Sequence, residues 1–335
     1  MVSSQFPILE NKIINSIHEG HGYLWVGTEA GLIRINNDRS EALIYQNETH
    51  DNTSLSDDHV NVIYQDSRSN LWVGTENGLN LYQPDRDEFI RLKADPKDDQ
   101  SLKSNRVNSI YEDRHNTLWI GSWSNGISKF SYHQKGIKHY FTYPDDANSI
   151  SDNNIWDFVE DESSNIWIGT DKGLNRFDPE TEQFDHFYHD SDNPNSLSSN
   201  RIYNIEIDRH GHLWMSTPEG LNKFDPKTGS TERYLHDPDD ENSISYNTLW
   251  GVDIDSTGNI WIGTRGRGLN VLNPETETFE HYNHDPDDPK SLGASYVSDV
   301  YIDSREQIWV GTRNGLNLYE PETNTFKKFP HTSKN

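Results

Sequence analysis

The stretch Leu71–Leu92, LWVGTENGLNLYQPDRDEFIRL, decides the fold. Its apolar residues come in short runs, LWV, LNLY and FIRL, divided by residues that favour turns, and none keeps a helical spacing. It reads as three strands, B, C and D. The Asn77-Gly78 pair predicts a type I′ hairpin turn between B and C, because both central positions of that turn need positive φ. Pro84 pre-sets φ for the turn into D. Upstream, VNVIYQD from Val60 reads as strand A, joined to B by the polar turn SRSN. The loop DPKDDQSLKSN from Asp95 then carries the chain to the next strand A.

The phrase is written seven times. LWVGTEAGLI begins at Leu24, IWIGTDKGLN at Ile166, IWIGTRGRGLN at Ile260 and IWVGTRNGLN at Ile308, with looser copies LWIGSWSNGIS at Leu118 and LWMSTPEGLN at Leu213. The aligned tryptophans are Trp25, Trp72, Trp119, Trp167, Trp214, Trp261 and Trp309, spaced by 47, 47, 48, 47, 47 and 48 residues. A period near fifty, rich in short strands, points to propeller blades. The expected fold is all-β: a seven-bladed β-propeller in which each blade is a four-stranded antiparallel sheet. The blades fall at about 7–53, 54–100, 101–148, 149–195, 196–242, 243–290 and 291–335, one domain over 1–335. Every blade is contiguous, so closure is expected from packing of blade 7 on blade 1, with residues 1–6 free to add an outer strand. The repeated Trp is first a packing residue, and the Gly two residues on admits a close backbone.

Composition narrows the function. The chain has 335 residues, only 31% of them hydrophobic, but its 10 Trp, 16 Tyr and 12 Phe supply large surfaces to bury. A net charge of −26 repels phosphate backbones and anionic membrane surfaces, which makes nucleic acid a poor partner. No cysteine is present, and no apolar run reaches the length of a membrane helix. The start MVSSQFPILE has no signal-peptide pattern, which leaves a cytosolic protein or an excised segment of a larger one as expectations.

The blade phrase IWIGTDKGLNRFDPETEQF, Ile166–Phe184, and the inter-blade phrase HYNHDPDDPKSL, His281–Leu292, resemble the two-component regulator propeller family. The resemblance covers essentially the whole chain. It implies an extracytoplasmic sensor domain, periplasmic or extracellular, of a bacterial signalling protein that responds to oligosaccharides or other nutrients. In that family a small β-sandwich, a membrane helix and a histidine kinase or diguanylate cyclase follow, and this chain contains none of them.

Departures from the repeat mark the candidate site. Three tryptophans are surplus to the blade positions: Trp123 in the B–C turn of blade 3, and Trp156 and Trp250 opening strand A of blades 4 and 6. Blades 2 and 3 carry Asn61 and Asn108 there, and blade 5 carries Tyr203. All four aromatics map to the face shared by B–C turns and D–A loops. Arg106 and Arg201 precede strand A, while Arg265, Arg267 and Arg313 lie in B–C turns on the same face. Turns of blades 3 and 6 are one residue longer than the rest. Aromatic and arginine side chains together suit a ligand with a flat apolar face and anionic groups, such as a uronate or sulfated oligosaccharide. The competing reading is structural: Trp156, Tyr203 and Trp250 fill the wedge near the axis, and turn arginines are merely solvated.

The HDPDD loops, His236–Asp240 and His284–Asp288, and DSDNPN from Asp190 place carboxylates at alternate positions, but they lack the glycine and terminal glutamate of a calcium loop. Asp capping its own turn accounts for them. His189, His236 and His284 belong to different blades, so no metal or other cofactor is expected. Acidic pairs such as Glu206 and Asp253 could perform acid–base work if they met in the channel, but no catalytic motif is present. The leading expectation is a non-catalytic ligand-binding sensor whose partners are a small-molecule or oligosaccharide ligand and downstream sensor domains. The alternatives are a propeller lyase with a metal or His/Glu site at the channel mouth, and a protein-interaction scaffold.

Overall fold

A computed structural model describes residue 9 and residues 12–132 and 136–329. Seven four-stranded antiparallel sheets follow one another around a ring, each with its strands in sequence order. Strand A of each blade lies innermost against its neighbours: Ile14–Gly20, Val60–Gln65, Val107–Glu112, Ile155–Glu160, Asn204–Ile207, Leu249–Ile254 and Val297–Ile302. The fold is the expected seven-bladed β-propeller.

The repeated Trp acts as the hinge pin between blades. Trp25, Trp119, Trp167 and Trp214 are fully buried, and each blade Trp faces the blade that follows it. Trp25 meets Tyr82 at 5.0 Å, Trp119 meets Phe177 at 5.3 Å and Trp261 meets Tyr319 at 5.1 Å, mostly edge to face. The indole N–H also needs an acceptor. In six blades it donates to an aspartate six residues upstream, as Trp72 to Asp66 (2.9 Å) and Trp119 to Asp113 (2.8 Å); blade 1 uses the Gly20 carbonyl at 2.9 Å. The other oxygen of that aspartate caps the A–B turn, accepting from the backbone N–H groups of residues 68 and 70 in blade 2.

The B–C hairpin differs from the expected turn. Thr75 pairs with Gly78, so the two turn residues are Glu76 and Asn77, and neither has positive φ. The Thr75 hydroxyl fixes the turn instead: it accepts from the Asn77 N–H (3.2 Å) and donates to the Gly78 carbonyl (2.9 Å). Gly78 sits at φ 145, where a Cβ would lie 2.9 Å from Ser56 Oγ.

Strand A is a sheet edge, and its outward N–H groups need partners. The preceding blade supplies them as side chains. Ser16, Asp157 and Asp299, third in their strands, and Asn204 at the equivalent place in the repeat of blade 5 accept from the N–H groups of Ile63, Ile205, Ile17 and Val252 respectively. Two positions on, His18, Tyr64, Asp253 and Tyr301 accept from Gln65, Glu112, Ile302 and Glu19. The seam between blades 7 and 1 is fastened by Asp299 and Tyr301 in the same manner as the others, and among the described residues the two blades share no strand. The strand expected from residues 1–6 lies outside the described residues.

Candidate functional site

The second residue of strand A positions the site. Pairing with strand B slips there in six blades, for example between Val60 and Val62, Ile155 and Asp157, and Leu249 and Val252. Such a bulge turns the extra residue out of the ladder, here toward the channel. In four blades it serves as a fastening. Asn15, Asn61, Asn108 and Ser298 each donate to the carbonyl that opens strand A of the next blade, those of Val60, Val107, Ile155 and Ile14. Blades 4, 5 and 6 replace the fastening by Trp156, Tyr203 and Trp250.

These rings form one wall across three blades. Tyr203 lies over Trp250 with centroids 4.4 Å apart, Trp156 meets Tyr203 edge-on at 5.1 Å, and Trp123 meets Trp156 edge-on at 5.3 Å. All four are half-buried and line one cavity of about 470 Å³ at the channel mouth. Asn15, Asn61 and Asn108 complete the opposite side. Trp156 is held by its indole N–H on Asp171 (2.8 Å), whereas the buried Nε1 of Trp250 has no partner among the described residues. The four aromatics that departed from the repeat are thus brought together.

The five arginines are not. Only Arg106 lines the cavity. It stacks over Trp123 at 4.1 Å with its Nε 2.8 Å from Glu76. Arg201 pairs with Asp171 at 2.8 Å. Both charges are neutralised by the acidic residue that opens the preceding blade's B–C turn. Arg265 lies near the Trp250 ring (5.7 Å) and Arg313 over the Tyr296 ring (4.0 Å), both on the rim. Arg267 projects into solvent from the longer turn of blade 6. The expected arginine-lined mouth is an aromatic mouth with an arginine rim.

Below the aromatics the channel is acidic. Asp157 and Asp299 line the same cavity, and Glu206 and Asp253 stand close enough to repel them. Burial pushes Asp157 and Asp253 up to about 6. Glu206 and Asp299 are raised well above the ordinary carboxylate range by burial, reinforced by their acidic neighbours. Backbone N–H groups hold the charge of Asp157, Asp253 and Asp299; no described group donates to Glu206. None of the four is fully buried. Such a cluster can carry a proton near neutral pH or receive a positive charge.

The acidic crossings between blades are turns. Asp98, Asp146, Asp240 and Asp288 each accept the N–H two residues on, and the rings of His189, His236 and His284 meet the backbone carbonyls of Leu197, Ile244 and Leu292. Among the described residues no group of three or more His, Asp or Glu side chains is arranged to hold a metal.

Comparison with known proteins follows the repeat. The two component regulator propeller family matches residues 54–77, 101–124, 149–172 and 196–219, which run from the inter-blade crossing to the B–C turn in blades 2 to 5. No curated protein sequence matches the chain. Among solved structures it is similar to the extracellular domain of the hybrid two component system BT3049 of B. thetaiotaomicron, with 24% identity and a TM-score of 0.77 over 92% of this chain and 40% of that one. The extracellular domain of BT4673 from the same organism, a one component system, gives 20% identity and a TM-score of 0.73 over 92% and 38%. This chain therefore spans about two fifths of either domain. Virginiamycin B lyase of Staphylococcus aureus shares the fold at 12% identity, with a TM-score of 0.66 over 92% of this chain and 94% of that one.

Proposed function

We propose that this chain, which carries the two component regulator propeller repeat in four of its seven blades, is a ligand-binding input module of a bacterial signalling protein, placed outside the cytoplasm. One observation supports this reading above the rest. Three consecutive blades give up the inter-blade fastening at the second position of strand A and present Trp156, Tyr203 and Trp250 to one open cavity. Wedge-filling alone would have retained the fastening, since a side chain that bonds the next blade stabilises the ring. Flat or apolar faces of a small ligand, sugar rings included, stack on such a wall. The similarity to extracellular domains of bacterial two component and one component systems favours signalling over the shared propeller architecture of the lyases. Binding would signal by favouring one state of the assembly over another.

A thermal-shift screen of this chain against neutral, uronate and sulfated oligosaccharides, amines and amino acids tests the reading. A ligand at 100 times its Kd adds about 2.7 kcal/mol, a visible shift. Trp156→Asn, which writes the fastening residue of blades 1 to 3 into blade 4, should leave the ring folded and abolish the shift. Undiminished binding in both Trp156→Asn and Trp250→Leu would refute the site.

A further inference from the structure

The aromatic wall and the acidic floor belong to one cavity, and together they select the charge of what enters it. We propose that the well beneath Trp156, Tyr203 and Trp250 takes the positively charged end of the ligand, an organic ammonium whose apolar body lies against the rings. This rests on the reading of the mouth as a ligand site and goes beyond it by naming the chemical class. Arg106 is the one lysine or arginine lining the cavity among the described residues, and its charge is answered by Glu76. An anion would therefore face Asp157 and Asp299, with Glu206 and Asp253 close behind them, while the arginines without an acidic partner, Arg265 and Arg313, stand only at the rim. An ammonium group relieves the mutual repulsion of the four carboxylates and gains from the negative ring faces.

Two further observations point the same way. Ring faces at this mouth already receive cations: Arg106 covers Trp123, Arg265 approaches Trp250 and Arg313 covers Tyr296. Trp156 and Tyr203, over the acidic floor, carry no such cover among the described residues. Ser109 lines the same cavity, is only 4% exposed, and holds a hydroxyl without a partner. A buried hydroxyl in a cavity wall takes a partner from water or from a ligand, and it can accept from an ammonium N–H.

Three probes that share one ring and differ only in their end group test the proposal: tryptamine, indole-3-ethanol and indole-3-propionate, titrated calorimetrically at pH 7.5. Tryptamine should bind at least tenfold more tightly than either of the others. Glu206→Gln should narrow that preference, and Trp250→Leu should weaken all three. If the probes bind equally, or the anion binds best, and Trp250→Leu still weakens them, the ammonium assignment falls while the mouth stands as a ligand site. If binding ignores the tryptophans, both fall. If tryptamine, and with it choline and spermidine, fails to bind at millimolar concentration, the ammonium assignment is overturned.

Discussion

Glu206→Gln should make this ring more stable, and increasingly so as the pH rises. Glu206 stands among three other carboxylates in the channel, and no described group donates a hydrogen bond to it. A carboxyl whose pKa is raised by folding holds its proton more tightly in the native state than in the unfolded chain. Native stability is then full below the unfolded value and declines as pH climbs through the folded one. Asp157 gives the scale: it rises from 3.8 to about 6 although three N–H donors support its charge. At about 1.4 kcal/mol per pH unit that rise costs about 3 kcal/mol. Glu206 is raised in the same direction by burial and by its acidic neighbours and lacks the donors, so glutamine, which is neutral and similar in shape, should remove that cost and gain stability as the pH rises. Urea denaturation followed by tryptophan fluorescence from pH 4 to pH 8 measures this directly. The two proteins should coincide near pH 4 and diverge toward pH 8, with the variant the more stable. A difference that stays flat with pH, or a wild type more stable at pH 8, would refute the picture of a mutually repelling channel.

Three further outcomes follow from packing and hydrogen bonding. Burial holds His18 down to about 4, so the neutral ring that accepts from the Gln65 N–H resists protonation; the His18 contribution to stability should fall by about 3 kcal/mol as pH drops from 6.5 to 4, read as the difference between wild type and His18→Gln across the same urea series. Asp113→Ala deprives the Trp119 indole and the N–H groups of His115 and Thr117 of their acceptor, and should cost about 3 kcal/mol or more by the shift in urea midpoint. Gly251→Ala places a Cβ 2.9 Å from Val300 N and 3.1 Å from Asp299 Cα, backbone atoms with no room to yield, and should cost about 1–3 kcal/mol, read as a lower melting temperature.

The fold was legible because the same physical problem is solved seven times, and a repeat of that length leaves few architectures open. Detail at single turns was less so. Asn77-Gly78 invited a type I′ turn, but the Thr75 hydroxyl stabilises a different one, and a side chain acting on backbone two and three residues away is invisible to dipeptide rules. The aspartate six residues before the blade Trp recurs in six of the seven blades, yet Asp66 reads from sequence only as the end of strand A, because its bond to the indole spans a turn. At the site, Trp156, Tyr203 and Trp250 stood out as departures from asparagine. Of the acidic floor only the Glu206 and Asp253 pair was legible; Asp157 and Asp299 come from two further blades, and only ring closure brings the four together. The arginines misled for a related reason: Glu76 and Asp171, which answer Arg106 and Arg201, lie 30 residues earlier in the preceding blades.

The bulged second position of strand A has an evolutionary consequence. Its side chain lines the channel mouth in either case and fastens one blade to the next where it is Asn or Ser, while the rest of the strand performs the same work. A single codon can therefore convert a blade from joinery to recognition without disturbing the Trp–Asp pair, the threonine-held turn or the acceptors one and three residues away. Four blades remain in the first role and three have taken the second. A ring built in this way can change its ligand by increments, one blade at a time, and pass through each intermediate as a closed and soluble molecule.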